Sequence, residues 1–186
     1  MTSGAGYAMR PSESSTAAMQ KPQLVGVDTN VLMRLAERHE ATIDAWQLIK
    51  RRLQPVQFVV PPTVLGELAN KVFDDPEPGV REAARLALRD LRRRWHFQPE
   101  NFNAVQEAIA RFATGRIREA RLVPYEERND ASVIAEAAVL DCILLVSRDS
   151  HLLGIDHERL ALLFRQLDLP CPLISSPETL LKKFYT

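Results

Sequence analysis

Two aspartates closely follow apolar segments that are typical of buried strands. Asp28 comes directly after QLVGV, residues 23–27, and Asp149 comes just after CILLVS, residues 142–147. In an open α/β sheet, ligands bind outside the carboxyl ends of the strands. If both segments are central parallel strands, the two carboxylates lie at one edge of the sheet and can reach a common ligand.

Two more acids are expected near the starts of helices that begin at the same edge. Glu67 lies in the helix expected after VQFVV, residues 56–60, where a Pro-Pro pair suits a helix start. Asp130 lies in the first turn of another expected helix. Four carboxylates in one cleft repel one another unless cations neutralise them. Oxygen ligands of this kind suit Mg²⁺ or Mn²⁺, and such ions can promote phosphodiester hydrolysis.

Each of the four acids also has a simpler structural interpretation. Asp28 could cap a helix, and Asp130 could stabilise a helix N-terminus through its charge. Glu67 could lie on the polar flank of its helix, and Asp149 could belong to a turn. Because all four fall at strand ends or helix starts, we favour a shared site. The neutral side chains expected to orient its carboxylates are Thr29, Asn30 and Ser147.

The composition is that of an ordinary globular protein without a charge bias. The 186 residues are 46% hydrophobic and 26% charged, and the formal net charge is zero. Any basic surface that binds nucleic acid must therefore be local. The two cysteines predict no disulfide framework, and no zinc-site spacing or membrane-spanning apolar segment is present. We expect a cytoplasmic protein that does not contact the membrane.

Strand and helix segments alternate along the chain, which predicts an α/β sandwich around a mostly parallel sheet. We expect residues 1–22 to be a disordered leader and residues 23–184 to be one domain. Helices are predicted over 80–97 and over about 102–115, and a short strand is predicted near CPLIS, residues 171–175.

The predicted helix over 80–97 carries a stripe of arginines opposite its apolar face. An RNA substrate would need such cations beside an acidic cleft. A solvated helix face, partly neutralised by neighbouring acids, is the simpler interpretation. Arg148 could likewise contact phosphate or pair with a nearby acid. The candidate nucleic-acid-binding residues are Arg81, Arg85, Arg89, Arg92 and Arg148.

Four motifs in this order resemble the PIN domain family, whose members are mostly metal-dependent nucleases. They are VDTNVLMRL with Asp28, PPTVLGEL with Glu67, ERNDASVIAEAAVL with Asp130 and ILLVSRDSHLL with Asp149. The tail LISSPETLLKKF is also similar to the usual ending of the family. The resemblance covers residues 23 to about 184, and only the first and fourth motifs are fairly specific. The segment around 76–122 is longer than in compact toxin-type members, so we expect a helical, arginine-rich insertion there.

The resemblance implies a three-layer α/β/α sandwich with a Mg²⁺- or Mn²⁺-dependent active site at Asp28, Glu67, Asp130 and Asp149. It also implies an RNA substrate, a homodimer and, for toxin-type members, an inhibitory antitoxin protein. A non-catalytic PIN-fold module that binds RNA or protein is the alternative. A phosphatase of the haloacid dehalogenase type is disfavoured, because Asn30 stands where that family needs a second aspartate.

Overall fold

Five parallel strands form the central sheet of the part of the chain that the structure describes. The computed structural model describes residues 21–124 and 126–184, so residues 1–20 of the expected leader lie outside the described residues. The strand order is β3-β2-β1-β4-β5. The strands are β1 (Gln23–Val27), β2 (Val56–Val60), β3 (Gln98–Pro99), β4 (Cys142–Val146) and β5 (Leu173–Ser175).

Helices connect and flank these strands, which confirms the predicted α/β sandwich around a parallel sheet. Within the described residues, no helix is both long and apolar enough to span a bilayer. The helices are α1 (Thr29–Ala36), α2 (Glu40–Arg52), α3 (Pro62–Asp74), α4 (Pro78–Arg93), α5 (Ala104–Glu119), α6 (Arg128–Val139), α7 (Ser150–Leu153), α8 (His157–Gln166) and α9 (Pro177–Phe184).

The strand order reverses between β1 and β4, which lie side by side at the centre of the sheet. The chain runs outward from β1 through β2 to β3 and then crosses back to β4. The backbone N–H of Asp28 donates to the carbonyl of Val146 at 3.0 Å, so pairing continues past the end of β1. A reversal of this kind leaves a crevice at the carboxyl ends of the two central strands. The topology therefore supplies the edge at which Asp28 and Asp149 were expected to meet.

Helix α4 ends earlier than the sequence pattern predicted. It stops at Arg93, and His96 adopts a left-handed backbone conformation with φ of 57°. The turn sends Trp95 and Phe97 into the core, where the Phe97 ring lies 5.0 Å from that of Phe58 and 5.9 Å from that of Trp95. Burial of these aromatic rings outweighs continuation of the helix. The helix predicted over 80–97 was therefore wrong beyond residue 93.

The region around 76–122 also differs in detail from the prediction. Helix α5 continues to Glu119, so most of the basic segment RIREAR lies in the helix rather than after it. The two-residue strand β3 was not predicted, and it pairs in parallel with β2 at the edge of the sheet. This region thus contributes to the central sheet, and its assignment as an insertion stays a prediction.

The aromatic cluster beside β2 yields a test of this packing. Phe97 is 1% exposed, so we expect Phe97→Ala to lower the free energy of unfolding by about 3–5 kcal/mol through lost burial and a cavity. Phe73→Ala is the matched control because that ring is 80% exposed, and its effect should stay within roughly 0.5 kcal/mol. Urea denaturation measures both variants. Equal effects of the two changes would contradict the burial of Phe97 in the core.

Candidate metal site

An open cleft at the carboxyl ends of β1 and β4 brings together the four acids singled out in the sequence. Asp28 and Asp149 come from the strand ends, whereas Glu67 and Asp130 come from the beginnings of α3 and α6. Further residues that line the cleft are Thr29, Asn30, Met33, Arg34, Glu37, Asn70, Lys71, Val80, Glu127 and Asn129.

Asp28 is the most constrained of the four acids. One carboxylate oxygen accepts the backbone N–H of Thr29 at 2.6 Å, so Asp28 also caps helix α1. The other oxygen accepts the Asn30 amide at 2.8 Å and the Ser147 hydroxyl at 2.5 Å. The residue is only 6% exposed. Burial raises its pKa to about 6 against these hydrogen bonds, and the charges of Glu67 and Asp149 raise it further.

Ser147 connects the two strand-end aspartates. Its side chain is fully buried, donates to Asp28 and accepts the backbone N–H of Asp149 at 3.0 Å. Asn30 strengthens the same connection, because its carbonyl oxygen accepts the backbone N–H of Arg148 at 2.9 Å. The loop after β4 is thereby fixed against the start of α1. Both Ser147 and Asn30 donate to the carboxylate of Asp28, and their role in a metal site stays a prediction.

Two sets of hydrogen bonds fix the position of Glu67, one to its carboxylate and one to the start of its helix. The Thr29 hydroxyl donates a hydrogen bond to its carboxylate. The helix that carries Glu67 begins at a Pro-Pro pair without a side-chain cap of its own. Glu136 caps this helix instead: its carboxylate accepts hydrogen bonds from the backbone N–H of Thr63 at 2.9 Å and from the Thr63 hydroxyl at 2.6 Å. Burial raises the pKa of Glu136, an effect opposed by these two bonds. Glu136 lies on the buried face of α6, and its capping role was not predicted from the sequence.

Asp130 differs from the other acids because one of its oxygens is buried without a hydrogen bond to the described residues. Its Oδ2 atom is buried and makes no hydrogen bond to the described residues. Burial raises the pKa of Asp130 to about 7, and the negative charges of Asp149, Asp28 and Glu127 raise it further, whereas His151 lowers it. An unpaired buried carboxylate oxygen among other acids is an unfavourable arrangement for a chain without a bound cation.

The cations that line the cleft are not those of the arginine stripe. Among the described lining residues, Arg34 of α1 and Lys71 of α3 carry positive charge. Arg34 donates to Glu37 at 2.8 Å, so it is partly neutralised at the rim. Neither residue was singled out in the sequence, where each reads as an isolated surface cation.

The five predicted arginines lie outside the lining of this cleft. Arg81 donates to the carbonyls of the loop between α3 and α4, Arg85 pairs with Glu82, and Arg89 donates to Asp90 at 2.7 Å. Arg92 is exposed beside Arg89 near the end of α4. Arg148 pairs with Glu178, which was one of its two proposed roles. Their contact with nucleic acid stays a prediction.

Comparison with known proteins agrees with this fold. A model of the PIN domain family matches residues 25–158, which is more than half of the chain. The chain belongs to the PIN domain family. One solved structure of the same fold is VapBC2 from Rickettsia felis, in complex with a DNA fragment from the promoter of its own genes. It is 14% identical in sequence, with a TM-score of 0.56, and the alignment covers 83% of this chain and 98% of that one. No curated protein matches the sequence.

The donor set of the cleft fits a divalent cation, on which PIN domains generally depend. Its charged donors are carboxylate oxygens, the ligands that hard ions such as Mg²⁺ and Mn²⁺ prefer. The Oδ2 of Asp130 makes no hydrogen bond to the described residues, and burial together with the neighbouring acids raises the pKa values of Asp28 and Asp130. A bound cation would supply the missing positive charge and lower both pKa values.

Burial of Asp130 and its repulsion by neighbouring acids predict that the metal-free protein gains stability when this acid is neutralised. The folded pKa of Asp130, about 7, lies above its ordinary value of 3.8. The stability linked to this group is therefore present below about pH 4 and is lost as the pH rises through 7. Asp130→Asn should raise the free energy of unfolding at pH 8 by roughly 1–3 kcal/mol, and by much less at pH 5. Denaturation in EDTA at both pH values measures this effect. A loss of stability at pH 8 would refute the repulsion argument.

Proposed function

We propose that this protein is a metal-dependent endoribonuclease that hydrolyses RNA phosphodiesters in the acidic cleft. The observation that carries the proposal is the set of four acids, which lie together in a chain that belongs to the PIN domain family. The described residues that line the cleft include no serine, cysteine or histidine, and Ser147, which donates to Asp28 beneath them, is fully buried. The chemistry of the carboxylates therefore favours hydrolysis assisted by metal over a covalent mechanism.

Asp28, Glu67, Asp130 and Asp149 would hold one or two Mg²⁺ or Mn²⁺ ions. Such an ion supplies Lewis-acid stabilisation of the charge that develops on the phosphate and lowers the pKa of water. The protein supplies the rigid positions of the carboxylates. Thr29 donates to Glu67, and Asn30 and Ser147 donate to Asp28, so these acids keep their orientation without the ion. The open cleft leaves room for a polynucleotide backbone beside them.

We further propose that the protein is the toxin of a toxin–antitoxin pair, with an antitoxin that blocks this cleft. The support is the likeness of fold to VapBC2, together with the family membership. Homodimer formation is part of the same proposal. The exposed apolar side chains Val105, Ile109 and Phe112 recur on one face of α5 and offer a surface for such contacts.

Asp28→Asn tests the nuclease proposal. We expect metal-dependent cleavage of labelled RNA to fall by at least about 100-fold, because the variant loses a charged ligand that hydrogen bonds from Thr29, Asn30 and Ser147 hold in place. Asp44→Asn is the matched control, since Asp44 is exposed on α2 and does not line the cleft. Circular dichroism checks that both variants are folded.

A panel of RNA and DNA oligonucleotides with Mg²⁺, Mn²⁺ or EDTA completes this experiment. Cleavage by Asp28→Asn at the wild-type rate would overturn the assignment of the site. Tight RNA binding by the folded wild-type protein without cleavage in either metal would favour the non-catalytic module instead. Expression of the wild type and of Asp28→Asn in growing cells tests the toxin proposal, because only the wild type should arrest growth.

The cleft cations predict how the substrate is held. Lys71→Ala should weaken RNA binding and lower the slope of log affinity against log salt by about 0.7, the value for one phosphate contact on a single strand. Arg92→Ala, on the arginine stripe of α4, is the comparison variant. It should change the salt slope of RNA binding only if the RNA also contacts α4. Binding is measured with Asp28→Asn protein, which avoids cleavage, at several salt concentrations. An unchanged slope for Lys71→Ala would remove Lys71 from the RNA-binding surface.

A further inference from the structure

One histidine faces three of the acids at the rim of the cleft. The Nδ1 atom of His151 lies 3.7 Å from a carboxylate oxygen of Glu127 and 3.8 Å from oxygens of both Asp130 and Asp149. Ligand atoms of Glu127, Asp130 and His151 all lie within 4.8 Å of one another. The oxygen of Asp130 in this group is Oδ2, the buried atom that makes no hydrogen bond to the described residues.

The contacts of the His151 imidazole with these acids are within ion-pair distance, but none of them is a hydrogen bond. One N–H at Nδ1 can donate to only one of the three oxygens, and all three distances exceed that of a hydrogen bond. Two ligand atoms about 2.1 Å from one cation lie roughly 3–4 Å apart, so small side-chain rotations suffice to place these donors around an ion. The arrangement is therefore that of a ligand set more than that of a hydrogen-bonded ion pair.

We propose that His151 and Glu127 join Asp130 as metal ligands, so that the site contains an imidazole nitrogen beside its carboxylates. The inference extends the metal site of the proposed function. Imidazole nitrogen is a softer ligand than carboxylate oxygen, and it favours first-row transition ions over Mg²⁺. The site accordingly selects Mn²⁺ or a later divalent transition ion when Mg²⁺ is also present.

The local backbone supports this role of His151. The carboxylate of Asp149 accepts the backbone N–H of His151 at 2.7 Å and that of Leu152 at 3.4 Å, so it fixes the start of α7. Asp149 thus fixes the backbone of His151 and also faces its imidazole. Glu127 immediately precedes α6, three residues before Asp130, and therefore lies on the same side of the helix start.

Pulsed electron paramagnetic resonance of bound Mn²⁺ tests the proposal without reference to catalysis. We expect coupling of the Mn²⁺ electron spin to a coordinated ¹⁴N nucleus in the wild type and its loss in His151→Ala. His157→Ala is the matched control, because His157 is exposed at the start of α8 and is not part of the group formed by Glu127, Asp130 and His151. His151→Ala should also raise the Kd for Mn²⁺ about tenfold while changing the Kd for Mg²⁺ by less than about twofold.

The outcomes separate this inference from the proposed function. Mn²⁺ that binds without ¹⁴N coupling, or with coupling that survives His151→Ala, overturns the histidine ligand and leaves a carboxylate metal site intact. Wild-type protein that binds neither Mn²⁺ nor Mg²⁺ overturns both the inference and metal-dependent hydrolysis. A Glu127→Gln variant that lowers the affinity for Mn²⁺ without abolishing the ¹⁴N coupling supports the shared ligand set. Full affinity in that variant removes Glu127 from it.

Discussion

The gathering of four carboxylates in one partly buried cleft is the main physical constraint on this molecule. The cleft gathers Asp28, Glu67, Asp130 and Asp149 at the point where the strand order reverses, and the pKa values of Asp28 and Asp130 are raised to about 6 and about 7. Such a cluster destabilises a folded chain that has no cation to neutralise it. The free energy that keeps it assembled must come from the core beneath and from the hydrogen bonds around it.

The surrounding polar network shows how that assembly is achieved. Ser147 is buried between the two strand-end aspartates, and Asn30 connects the start of α1 to the loop after β4. Glu136 caps α3 in place of a local side chain and so fixes the helix that carries Glu67. These bonds link β1, β4, α3 and α6 into one frame. Because Ser147, Asn30 and Glu136 hold these elements together, the carboxylates are already in position when a cation arrives.

The cleft is asymmetric in the kind of donor that it offers. On the side of Asp28 and Glu67 the lining is made of carboxylate, hydroxyl and amide oxygens, with Lys71 nearby. On the side of Asp130 the imidazole of His151 approaches the carboxylates. The two sides therefore differ in softness as well as in charge. This difference bears on which ion is held and on where the phosphate of a substrate lies, since cations at the rim attract phosphate while the acids repel it.

The sequence by itself determined four of the five strands of the described sheet and the elements that carry the four acids. Short apolar segments closely followed by aspartate predict β1 and β4. The local pattern is sufficient to predict these strands, because strands buried on both faces need continuous apolar residues. The tertiary structure alone decided where α4 ends, since the burial of Phe97 against Phe58 depends on a distant strand. It also decided that Glu136 caps α3 and that His151 faces Glu127 and Asp130, because these contacts join residues 21 or more positions apart. Helical periodicity and motif spacing describe neighbours along the chain, whereas these contacts depend on how separate elements pack.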